Sequence, residues 1–154
     1  MFSHDHEYWM EQAFKEAEKA YQKGEVPVGA VMVFDNHIIG RGHNLTETLQ
    51  EPTAHAEMIA ITAAADYLKS RRLLDTILYV TLEPCPMCAG AIVLARIPVL
   101  VFAADDPKAG FCGTLANIVQ DQRLNHRVEI IKGVLENKCS LILSDFFKKL
   151  RETN

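Results

Sequence analysis

Two short stretches constrain this chain more than anything else in it: Pro52-Thr53-Ala54-His55-Ala56-Glu57 and Glu83-Pro84-Cys85-Pro86-Met87-Cys88. Between them they offer one imidazole, two thiols and, two positions after the imidazole, a carboxylate. Two cysteines separated by two residues form half of a zinc site, and His55, well upstream, can supply a third ligand. Three protein ligands leave a tetrahedral ion one open position. A structural zinc fills all four positions, whereas a catalytic zinc keeps a water in the last. Glu57 is close enough to His55 to sit beside that water without binding the metal.

The spacing has a physical logic. Cys85 and Cys88 stand at i and i+3, so a helix starting at Pro86 projects both sulfurs to one side of its first turn. The partial positive charge of a helix N-terminus favours thiolate, the form that zinc requires. Pro84 and Pro86 suit a strand-to-helix junction, where no backbone donor is needed. Inside a helix, His55 and Glu57 at i and i+2 would point to nearly opposite sides. They can share a site only where a helix begins, and Thr53 is the expected N-cap that places them in its first turn. A structural zinc would need a fourth ligand from Cys112, His43 or His126, none of which stands in a paired zinc spacing.

At 154 residues, with 49% hydrophobic and 23% charged content, the chain is expected to form one soluble domain over 1–154 with a substantial core. The start has neither a basic nor an apolar leader region, and no apolar run approaches membrane-spanning length, so no membrane association is expected. Four cysteines, two in a metal-type spacing, point to a reducing compartment, the cytoplasm, rather than a disulfide framework. The net charge of -4 argues against broad affinity for nucleic acid, and no DNA partner is expected; it leaves room for a local basic surface.

Taken in order, residues 6–22 read as an amphipathic helix ended by Gly24. Residues 26–34 and Ile38-Ile39 form a hairpin turned at Asp35-Asn36-His37, followed by a polar loop over 45–51. Helices are expected over 53–68, 86–96, 115–120 and 135–151, and strands over 77–82, 99–103 and 128–131. The segment 105–113 is too rich in turn residues to form an element. Strand–helix–strand units imply right-handed crossovers. The fold class is therefore α/β: a three-layer α/β/α arrangement around a mixed five-stranded sheet, its motif helices converging over one end.

His55-Ala56-Glu57 with Pro84-Cys85-Pro86-Met87-Cys88 is the pattern by which the zinc nucleobase deaminases are known, and here the chain resembles the cytidine/deoxycytidylate deaminase superfamily. Within it the chain is similar to the bacterial tRNA-specific adenosine deaminases. Val26-Pro27-Val28-Gly29-Ala30-Val31 and Thr81-Leu82-Glu83-Pro84-Cys85-Pro86-Met87-Cys88-Ala89-Gly90-Ala91 recur in related base deaminases. Asn125-His126-Arg127-Val128-Glu129 and Ser144-Asp145-Phe146-Phe147 point to the tRNA enzymes. Glu51 departs from the family's usual Asp. The resemblance implies a cytidine-deaminase-like fold and one Zn2+ per subunit on His55, Cys85 and Cys88. It implies hydrolysis of a C–N bond of the cyclic amidine, converting adenosine to inosine at the wobble position of a tRNA anticodon, with Glu57 as catalytic proton shuttle. It also suggests substrate contacts from Asn44, Asp106, Lys108, Asn125, Phe147 and Arg151, with an anticodon stem-loop as partner. A homodimer is expected from the resemblance and from the small, apolar surface of the helix over 86–96.

Each assignment has a plainer alternative. Asn44 could cap a turn, Phe146 or Phe147 could be core packing, and Lys148, Lys149 and Arg151 a solvated helix face. The same zinc chemistry would serve a deaminase of free guanine, cytosine or a nucleoside. A non-catalytic zinc module would have no use for Glu57 beside the metal.

Overall fold

A computed structural model describes residues 4–153. Helix α1 (His6–Gln22) starts where the Asp5 carboxylate accepts from the Tyr8 N–H at 2.9 Å. Strands β1 (Gly29–Phe34) and β2 (His37–His43) form the hairpin, turned through Asp35 and Asn36, both in the left-handed region with φ of 49° and 60°. Two consecutive positive φ values suit a tight hairpin turn, and Asp and Asn tolerate them best among residues with a Cβ. His37 belongs to β2, not to the turn. A bulge beside Met32/Val33 shifts the hairpin register.

Helix α2 (Thr46–Leu49), absent from the expectation for the polar loop, comes next, then α3 (Ala56–Leu68), β3 (Thr76–Leu82) and α4 (Pro86–Ala95). Strand β4 (Val99–Ala104), a short 3-10 turn (Ile118–Gln120), β5 (Glu129–Lys132) and α5 (Glu136–Glu152) complete the chain. The helix expected over 115–120 thus shrinks to its last three residues. The sheet order is β2-β1-β3-β4-β5; β1 pairs antiparallel with both β2 and β3, and β3-β4-β5 are parallel.

Strand alternation sorts the apolar residues onto two faces. Val31, Val33, Tyr79, Val101 and Ala103 pack under α1 and α5, against Trp9, Met10, Phe14 and Cys139. Ala30, Met32, Val80, Leu100 and Phe102 pack under α3 and α4, against Ala56, Ala60, Ile92 and Val93. The second interface is close. A Cβ at Gly42 would strike the backbone carbonyl of Ala56, so β2 can lie against the start of α3 only with glycine there. The fold class matches the expected three-layer arrangement, and its carboxyl strand ends at Leu82 and Ala104 lie beside the N-termini of α3 and α4.

Candidate metal centre and substrate cleft

His55 and Cys85 are themselves the N-cap residues of α3 and α4, with extended backbone at φ/ψ of -83°/152° and -74°/175°. Thr53 is not the cap. Its hydroxyl and N–H both donate to Glu51 Oε1, at 2.8 and 3.0 Å, closing a turn that leads into His55. Glu51 therefore has a local role in that turn. With His55 outside the helix and Glu57 in its first turn, the i, i+2 pair faces one site, as the spacing requires. Pro86 opens α4, and Cys88 follows on the same turn.

His55, Cys85 and Cys88 form a group positioned to hold a metal, with all donor atoms within 4.8 Å of one another. His55 Nδ1 lies 3.5 Å from Cys85 Sγ and 3.6 Å from Cys88 Sγ. Zinc–nitrogen and zinc–sulfur bonds meeting at a tetrahedral angle put their ligand atoms about 3.6 Å apart. The donor set and its spacing therefore fit a zinc ion. The other candidate ligands lie elsewhere: His43 contacts Glu16 and Lys23, His126 Nε2 meets the Ile97 carbonyl at 2.7 Å, and Cys112 is buried beside Glu83.

Electrostatics follow from crowding. Cys85 is pushed down to about 4: the Cys88 thiol hydrogen-bonds to it, outweighing the cost of its burial, and His55 adds to the effect. The same contact, with burial, pushes Cys88 up. Contact with Cys85 raises His55. Glu57 is 4% exposed, and burial pushes its carboxyl up to about 7 against its backbone hydrogen bond and the nearby imidazole.

His55, Cys85 and Glu57 line a cavity of about 280 Å³ with Asn44, Thr46, Glu83, Asp106 and the apolar Val26, Val28 and Leu82. A second cavity of about 630 Å³ shares Val26, Leu82 and Asp106 with it and adds Lys108, Ser144, Phe147 and Arg151. Of the suggested substrate contacts, Asn44, Asp106, Lys108, Phe147 and Arg151 are thus gathered along adjoining cavities. Asn125 is not: it lies exposed on the connection to β5 and lines neither. Asn44 is 7% exposed, and its Oδ1 accepts from the Thr46 N–H at 3.2 Å, so it caps a turn and lines the cavity at once. Phe146 packs edge-on against Tyr21 of α1, whereas Phe147, 40% exposed, lines the groove. Glu83 is a charged cavity residue to which the sequence assigns no role. It stands inside a motif, but its partners lie 23 to 31 residues downstream, beyond what motif spacing reveals.

The MafB19-like deaminase family matches residues 4–151. The tRNA-specific adenosine deaminase of Bacillus subtilis (strain 168) is 55% identical over 146 residues, covering 95% of this chain and 91% of that protein. A solved tRNA:A34 deaminase, from work on A-to-I editing at the wobble position of transfer RNA, superposes with a TM-score of 0.85 at 41% identity, covering 88% of this chain and 99% of that one. The guanine deaminase of Nitrosomonas europaea superposes with a TM-score of 0.79 at 21% identity, covering 95% of this chain and 86% of that one, a likeness of fold alone.

Proposed function

The chain belongs to the tRNA-specific adenosine deaminase family, and from that premise we propose that it deaminates adenosine to inosine at the wobble position of a tRNA anticodon, acting as a single deaminase domain. One observation carries the reading. His55 and Cys85, two members of the group positioned to hold a metal, line a small cavity together with Glu57, and its wall continues into a groove lined by Lys108, Phe147 and Arg151. The small cavity suits one base, and the groove suits the nucleotides beside it.

His55, Cys85 and Cys88 would hold one Zn2+ per subunit. When bound, zinc supplies a Lewis acid that acidifies the water attacking C6 of the adenine. Glu57 takes a proton from that water and delivers it to N1; it then carries the water's second proton to N6. The C6–O bond forms, the C6–N6 bond breaks, and ammonia leaves with inosine behind. One carboxylate performs both transfers because the water and the leaving amine are on the same carbon. Asn44, tethered through Oδ1, offers its amide N–H to the purine. Val26, Val28 and Leu82 exclude bulk water from the ring. A stacked base cannot enter such a cavity, and an anticodon loop already presents splayed bases. Phe147 offers a stacking face, and Lys108 and Arg151 partner the phosphates. No helix among the described residues is long and apolar enough to cross a membrane, and a tRNA substrate fits work in the cytoplasm.

The test compares an anticodon stem-loop with free adenine, guanine and cytosine as substrates of metal-replete protein. Inosine should form in the stem-loop, Glu57→Gln should keep the metal while losing about 10²–10⁴-fold in rate, and Cys88→Ala should lose the metal itself. Efficient turnover of a free base with no inosine in the stem-loop would make this a metabolite deaminase.

A further inference from the structure

The segment between β4 and the 3-10 turn contains little regular structure, yet it carries Asp106 and Lys108. It is organised around one side chain from another part of the chain. Glu83 is 2% exposed. Its Oε1 accepts from the Asp106 N–H at 3.0 Å and the Thr114 hydroxyl at 2.5 Å; its Oε2 accepts from the N–H groups of Cys112 and Thr114, both at 3.0 Å. All four donors are neutral, and together they occupy the accepting positions of a carboxylate. The fit is tight: a Cβ at Gly110 would strike the Glu83 carboxyl group, so the loop can close over it only with glycine there. The Glu83 backbone N–H donates to the Ala104 carbonyl at 2.8 Å, and the Phe111 N–H donates to the Pro84 carbonyl at 3.0 Å. The loop is thereby fastened to the turn that carries Cys85.

Within the loop, Asp106 Oδ1 accepts from the N–H groups of Lys108 and Ala109 at 3.0 and 3.2 Å. Fixing the Asp106 amide therefore fixes the turn that presents Lys108 to the groove. Asp106 lines both cavities.

We propose that Glu83 is a positioning residue for substrate specificity: through four hydrogen bonds it holds the 105–114 loop against the metal-binding turn, setting the grip on the nucleotides beside the target base while leaving the chemical step alone. This rests on the tRNA deaminase reading above.

Glu83→Gln keeps the size of the side chain but turns one acceptor into an NH2 group that must face at least one backbone N–H whichever way the amide is set, since among the four donors only the Thr114 hydroxyl can turn to accept. Steady-state kinetics on the anticodon stem-loop should show KM raised about tenfold or more, the scale of losing hydrogen bonds to a charged group, with kcat within about threefold and full metal content. Backbone amides of Asp106, Cys112 and Thr114 should exchange hydrogen faster, with the sheet unchanged. A purely structural role reduces the fraction of active molecules, which lowers kcat and leaves KM in place. Thr114→Val, which removes one exposed hydroxyl donor, is the second variant should Glu83→Gln not fold, and should raise KM by a smaller factor in the same direction. Unchanged KM in the folded variants, or loss of metal together with kcat, overturns the proposal. A wild-type protein inactive on the stem-loop overturns the function reading instead. Amide exchange in the loop then decides the role of Glu83: unchanged exchange refutes it, and exchange accelerated in the loop alone sustains it.

Discussion

Glu25 caps a helix to which it does not belong. It is 1% exposed; its Oε1 accepts from the Glu47 N–H at 3.1 Å and its Oε2 from the Thr48 N–H at 2.6 Å, the free amides at the start of α2. Leu45, the residue in the N-cap position, makes no side-chain cap hydrogen bond. Burial pushes the Glu25 carboxyl up, but the hydrogen bonds from Thr48 and Glu47, with His43 nearby, outweigh it and hold Glu25 below the usual carboxylate range. The sign follows from linkage. A carboxyl with a lowered folded value binds its proton more weakly folded than unfolded, so its stabilisation is complete above the unfolded value and is lost as pH falls through the folded one. Glu25→Gln should therefore lower the Tm near pH 7 by roughly 3–10 °C, from about 1.5–3 kcal/mol for hydrogen bonds to a charged group. The gap to wild type should narrow as pH drops below about 4.5. Comparing the two proteins at each pH cancels the titration of every other group. A gap that stays constant from pH 7 to pH 3 would show that the charged carboxylate does not hold α2.

Helix α5 shows what an element can add to a site that no single residue can. Its inner side is anchored on α1: Phe146 stacks edge-on with Tyr21, the Tyr21 hydroxyl donates to Asp145, and Lys149 Nζ donates to the Tyr21 hydroxyl at 2.6 Å. That anchoring turns Phe147 and Arg151 toward the groove. Replacing Phe147 and Arg151 together with alanine should lower kcat/KM on the stem-loop by about 5–100-fold, the value of one lost base stack, with metal content unchanged. Equal kinetics in single turnover and steady state for the double variant and wild type would remove α5 from substrate binding. The sequence disclosed α5 and its neighbours because their periodicity is local, and it pointed to the grouping of His55, Cys85 and Cys88 because motif spacing encodes a helix start. It did not disclose α2, which is closed by Glu25 from across the chain. It placed the cap of α3 at Thr53, since propensity favours threonine there, whereas that hydroxyl is taken by Glu51. Choosing between Phe146 and Phe147 needed the position of Tyr21. Asn125 rests on a motif alone, and on the connection into β5 it is exposed and lines neither cavity.

For the whole molecule, α4 differs in kind from the helices α1 and α5. Helices α1 and α5 carry charged residues along their outer faces. Helix α4, Pro86-Met87-Cys88-Ala89-Gly90-Ala91-Ile92-Val93-Leu94-Ala95, carries no charge at all. One side of it is spent on the core, through Cys88, Ala89, Ile92, Val93 and Ala95. The other presents Met87, Gly90, Ala91 and Leu94 at helical spacing, with Leu94 75% exposed and open space around Gly90. A helix apolar on all sides is at home when covered on all sides. A second copy of the chain packing the same stripe about a two-fold axis would supply that cover, and the small residues would allow close approach of the helices. The homodimer proposed on these grounds would bury the outside of the helix whose first turn holds Cys85 and Cys88, so association would brace the metal turn from behind. A stable interface needs more than about 1,000 Å² in total, which the short stripe must reach with its neighbours. Sedimentation at micromolar concentration should give twice the mass of one chain. Leu94→Glu, which puts a charge into the stripe while leaving the core side of α4 untouched, should shift the protein to single chains. Wild-type protein that sediments only as single chains, or a Leu94→Glu variant that stays a dimer, would place the interface elsewhere or remove it.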